Sequence, residues 1–63
     1  MQFVVVTRDN WADVVRRSGV RLEVIAVETG KSYAAVYRYS TGSRRPSDAW
    51  IAQVADILSR RAG

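Results

Sequence analysis

The chain has 63 residues, ten of them Arg or Lys against six Asp or Glu, for a net charge of +4, and it contains neither cysteine nor histidine. Disulfides and the usual zinc sites are thereby excluded, and the length suits one small domain that buries only about 60% of the surface its unfolded chain exposes. No apolar run approaches the roughly 18–20 residues of a membrane span. The opening Met1-Gln-Phe-Val-Val-Val6 has no basic start and no small-residue cleavage site after it, so a cytoplasmic protein without a membrane partner is expected.

Residues 1–7 (MQFVVVT) are short, β-branched and without helical period, which predicts an N-terminal strand or arm. No second good strand follows, so Phe3, Val4 and Val5 are candidates for pairing with the same segment of a second molecule. Thr7 is the expected N-cap of a first helix, with Asp9 in its first turn. Trp11, Val14 and Val15 form the buried stripe of that helix, and Ser18-Gly19 ends it.

A second helix is expected from about Arg21 to Thr29, with Ile25, Ala26 and Thr29 facing inward. Val24 and Val27 fall on its outward face beside Glu28 and are candidate partner contacts. Gly30 supplies a tight turn, Ser32 caps a third helix, and Gly42 stops it. Ala35, Val36 and Tyr39 give the third helix its core face, while Ser32, Tyr33, Ala34, Tyr37, Arg38 and Thr41 lie on the other side, none of them acidic. Ala26, Gly30, Val36 and Tyr39 have the spacing of two helices crossing steeply, a helix-turn-helix over residues 22–42.

Pro46 holds Arg45 extended, and Ser47 with Asp48 opens a last helix. Its stripe of Trp50, Ile51, Val54, Ala55, Ile57 and Leu58 closes the core over helices one and three. Ile57 widens that stripe and is a candidate subunit contact. The expected architecture is all-α: one compact four-helix domain spanning residues 1–63, with a short N-terminal strand.

The charge is unevenly placed. Residues 31–45 contain Lys31, Arg38, Arg44 and Arg45 and no acid, leaving six bases and six acids elsewhere. A basic patch of this kind is the electrostatic footprint of a nucleic-acid surface. Catalysis has no support: there is no His or Cys nucleophile or base, no phosphate-cradling glycine loop and no paired-acid constellation, so neither catalytic residues, metal nor cofactor is expected. A helix of this length fits a DNA major groove. Arg38 suits bidentate contact with guanine, Tyr33 and Ala34 stand at the leading end, and Tyr37 reaches a base or a phosphate. Lys31, Ser32, Arg44 and Arg45 flank the reading helix and suit phosphates, as do Thr41 at its far end and Arg21 before helix two.

The stretch Val20–Ser47 resembles the Cro/CI-type (lambda-repressor-like, XRE) helix-turn-helix of phage repressors and related bacterial regulators. The shared marks are Ala26, Gly30, Val36, Tyr39, Gly42 and Arg45-Pro46-Ser47, within a similarity covering roughly residues 9–58. The resemblance implies a sequence-specific transcriptional regulator that binds a pseudo-palindromic operator in double-stranded DNA as a homodimer, without a small-molecule ligand, in a bacterial or phage-infected cell. It also implies base reading by Ser32, Tyr33, Ala34 and Arg38, and backbone contacts near Lys31 and Arg44. Two features depart from the family pattern. Arg21 and Leu22 stand where a Ser/Thr cap and a Gln are frequent, and the C-terminal strands of small Cro proteins are missing. An antitoxin or excisionase-type protein, or a helix-turn-helix used for protein–protein interaction, is the alternative.

Overall fold

The computed structural model describes residues 5–62. Four helices follow one another: α1 (Trp11–Arg17), α2 (Leu22–Thr29), α3 (Tyr33–Thr41) and α4 (Asp48–Ala62). The architecture is all-α, with no strand among the described residues. None of these helices is long and apolar enough to cross a membrane.

The core is one cluster to which every helix contributes. Trp11 and Val15 of α1, Ile25 and Ala26 of α2, Val36 of α3, and Trp50, Ile51, Val54, Ile57 and Leu58 of α4 are all buried. At its centre Trp50 meets two aromatic neighbours edge-on, Trp11 at 4.8 Å and Tyr39 at 4.9 Å between ring centroids. The indole Nε1 of Trp50 is buried without a hydrogen-bond acceptor among the described residues. The α4 helix lies chiefly on α2 and α1, where helices one and three were expected; it meets α3 through the Trp50–Tyr39 contact.

Local chemistry explains where each helix stops and starts. Gly30 takes φ +71, a left-handed conformation that costs an L side chain roughly 1–2 kcal/mol. From there the Lys31 amide donates back to the Ala26 carbonyl at 3.0 Å and closes the end of α2. Two residues on, the Ser32 side chain accepts from the Ala35 amide at 3.1 Å and starts α3. The Ser47 hydroxyl does the same for α4, accepting from the Trp50 amide at 3.1 Å.

Several expectations need correction. Phe3 and Val4 lie outside the described residues, but Val5 to Thr7 are irregular where a strand was expected. The reason is local: the backbone groups that a partner strand would satisfy are met by Asn10. Its Nδ2 donates to the Val5 carbonyl at 2.8 Å and its Oδ1 accepts from the Thr7 amide at 2.7 Å. Asn10 directly precedes α1 but makes no side-chain cap there; the capping bond is made by Thr7 as expected, one turn earlier, its Oγ1 accepting from the Asn10 amide at 3.2 Å and its carbonyl from the Trp11 amide at 2.9 Å. Ile57 is only 2% exposed and belongs to the core, so it is no subunit contact. A helix gripped by two neighbours buries a wider arc than one facing a single partner. Val24 is half-buried where an outward position was expected, whereas Val27 is 80% exposed.

Candidate nucleic-acid interface

Solvent-facing α3 is built by the residues that point away from Val36. With Val36 fully buried and Tyr39 packed on the core, a period of 3.6 turns Tyr33, Ala34, Tyr37, Arg38 and Thr41 outward together, and all five are exposed, as is Ser32. Tyr33 and Tyr37 stand one turn apart and stack, with ring centroids 6.3 Å apart and planes 26° from parallel. They remain 50% and 52% exposed, so the stack is a ridge on the surface and not part of the core.

The far end of α3 is tied down at a single atom. The Arg38 carbonyl accepts from the Arg44 amide at 3.2 Å, the Thr41 hydroxyl at 3.2 Å and the Ser43 hydroxyl at 3.3 Å. Thr41 and Ser43 also meet each other at 3.0 Å. This knot turns the chain back at Gly42 and holds the Arg44-Arg45 loop against the end of the helix. It also occupies the Thr41 hydroxyl, which makes Thr41 a poorer phosphate donor than its position on the face suggests. The loop is pinned from its other side by Arg8. Nε of Arg8 donates to the Pro46 carbonyl at 2.9 Å, and the same guanidinium bridges Asp48 at 2.9 Å. Neither Ser43 nor Arg8 stood out in the sequence. The Arg8 contact spans 38 positions and left no local signal; for Ser43, a hydroxyl just past the αL glycine was the available clue.

The ten cations divide evenly. Arg8, Arg16, Arg17, Arg60 and Arg61 each bridge a carboxylate, on Asp48, Asp13, Asp56 or Glu28. Arg21, Lys31, Arg38, Arg44 and Arg45 have no acid partner among the described residues, and all five are exposed. Lys31 precedes α3, Arg38 rides on it, and Arg44 and Arg45 follow it. Arg21 immediately precedes α2, whose first residue Leu22 lines the same hollow of about 510 Å³ as Ser40 near the end of α3. Four of these uncompensated charges, Lys31, Arg38, Arg44 and Arg45, thus flank or ride one helix that carries no acid, and the fifth, Arg21, precedes α2. Such an arrangement attracts anions, and its span along a helix suits a line of phosphates better than a single one.

Away from this face, Val24 and Val27 line a shallow groove of about 310 Å³ with Glu23, Glu28 and Arg61. Comparison with protein-family models, with curated protein sequences and with solved structures finds no match to this chain.

Proposed function

We propose that this chain is a helix-turn-helix domain that binds double-stranded DNA sequence-specifically and regulates transcription, in the manner of Cro/CI-type repressors. In this reading α3 enters the major groove. Arg38 reads a guanine, Ser32, Tyr33, Ala34 and Tyr37 meet neighbouring base edges, and Arg21, Lys31, Arg44 and Arg45 hold phosphates on either side. A domain of this size covers one half-site, so a homodimer on a pseudo-palindromic operator doubles the contact.

The observation that carries the reading is the division of the cations. Among the described residues, every basic residue assigned to DNA from the sequence is one that no carboxylate neutralises, and every other basic residue is paired. Selection from a random duplex pool, followed by a salt titration on the selected site, tests it. Engagement of about five phosphates gives a log–log slope of about −4 to −5. A flat salt response, or no duplex binding at low salt, sinks it.

A second reading, partner binding of the antitoxin kind, has one observation on its side: the groove where Val27 stands 80% exposed beside Val24. Retention of a protein partner by a variant with Arg38, Arg44 and Arg45 all changed to Ala, combined with indifference to duplex DNA by the unaltered chain, favours that reading.

A further inference from the structure

The reading face of α3 is chemically lopsided. From Ser32 to Thr41 it has no Asn, Gln, Asp or Glu. Bidentate readout of adenine therefore has no side chain to perform it, the cytosine amine meets no carboxylate, and Arg38 alone presents a two-pronged donor. The rest of the face is mostly apolar surface held in place. Ala34 is exposed, and the Tyr33 and Tyr37 rings, half exposed, lie against one another at 6.3 Å. Mutual stacking orders the pair before anything binds, so little rotamer freedom remains to be lost. It turns one face of each ring toward the other and leaves the rest of both rings half exposed as a ridge.

The apolar group that bases present in the major groove is the C5-methyl of thymine. We propose that Tyr33, Tyr37 and Ala34 form a thymine-methyl-reading ridge, and that this ridge, with Arg38 on a guanine, sets the sequence preference of the domain. The proposal rests on the duplex-DNA reading above and deepens it. A ring separation of 6.3 Å corresponds to roughly two base-pair steps of about 3.4 Å, so the methyls contacted are expected about two steps apart.

The test uses the duplex selected from the random pool and the same duplex with 2′-deoxyuridine at each thymidine in turn, which removes one methyl and leaves Watson–Crick pairing intact. For the unaltered protein, two or three positions should each lose about three- to fivefold in affinity, the size expected for one buried methyl. Tyr33→Phe and Tyr37→Phe, which keep the rings and remove only the hydroxyls, should show the same penalties. The double variant Tyr33→Ala/Tyr37→Ala should bind more weakly and be indifferent to the loss of the methyls. Both positions are exposed in a helix that alanine favours, so the fold is retained, and far-UV circular dichroism verifies it.

Three outcomes overturn the proposal. If duplex binding is intact but no deoxyuridine position matters, the ridge does not read methyls while the DNA reading stands. If the penalties persist in the double variant, they arise from the deformability of the DNA and not from the tyrosines. If the unaltered protein binds the single strand more tightly than the duplex, or binds no duplex at all, both the ridge and the reading on which it rests fail.

Discussion

Arg60 and Arg38 carry the same guanidinium near the ends of their helices, yet they have opposite surroundings. Arg60 lies 3.1 Å from Asp56 on its own helix and 4.0 Å from Glu28 on α2, while Arg38 faces solvent on a helix without a single acid. The aromatic residues divide in the same way. Trp11 and Trp50 meet edge-on inside the core and the half-buried Tyr39 packs edge-on against Trp50, whereas Tyr33 and Tyr37 stack outside it. One side of the molecule thus resolves its charges and buries its rings, and the other leaves both displayed. Exposed, unpaired and pre-ordered groups contribute little to folding, so their concentration around α3 is where a binding surface is expected.

The comparison breaks most visibly in the core. Trp11→Ala removes the ring that meets Trp50 at 4.8 Å, and large aromatic truncations of this kind cost about 3–5 kcal/mol. Domains hold roughly 0.05–0.15 kcal/mol per residue, so a 63-residue chain has little beyond that to lose. The variant should be largely unfolded at room temperature, read as loss of the near-UV circular dichroism and of a cooperative thermal transition. A cooperative transition within a few degrees of the original would mean that the aromatic cluster is not the centre of stability.

On the displayed side the expected effects are on binding and leave folding untouched. Arg38→Ala should cost about 1–3 kcal/mol on the selected duplex and relax the preference at one base pair, while the thermal midpoint stays in place. Equal weakening on every sequence would reassign Arg38 to a phosphate. Arg44→Ala should have the smaller, uniform effect. It should weaken selected and unrelated duplexes alike and flatten the salt slope by about one, as measured by fluorescence anisotropy across a salt series. A base-specific loss there would reverse the roles of the two arginines.

How far the molecule was legible in its sequence follows the range of the forces involved. The turn at Gly30, the Ser32 and Ser47 caps and the stop at Gly42 are settled within four residues, and they were readable as local chemistry. The outward face of α3 was readable because a 3.6-residue period fixes it once Val36 is buried. The N-terminal segment misled because β propensity describes a residue's fitness for a sheet but supplies no partner strand, and Asn10 met the backbone of Val5 and Thr7 instead. Ile57 misled because the width of a buried stripe depends on how many neighbours grip the helix, a tertiary fact. The identity of the free cations was half legible. The acid-free run of residues 31–45 was visible, but the pairing of Arg8 with Asp48 and of Arg61 with Glu28 joins positions that no local pattern connects.

The last of those pairs sharpens where the displayed side ends. Glu28 accepts from Arg61 at 2.7 Å and lies within 4.0 Å of Arg60, with its side chain 30% exposed. Glu28→Gln leaves an amide that still bonds but no longer neutralises. Solvent screens a pair as open as this, so the stability lost should be only about 0–1 kcal/mol and should shrink further at high salt. The more telling readout is DNA. The substitution frees Arg61 and raises the net charge by one, on α2 and α4 rather than on α3. If the interface is confined to α3 and its flanks, the salt slope should keep its value, with at most a small general gain in affinity at low salt. A slope steeper by about one would mean that Arg61, once released, reaches a phosphate. The paired side of the molecule would then lie close enough to DNA to be part of the interface, held back only by Glu28.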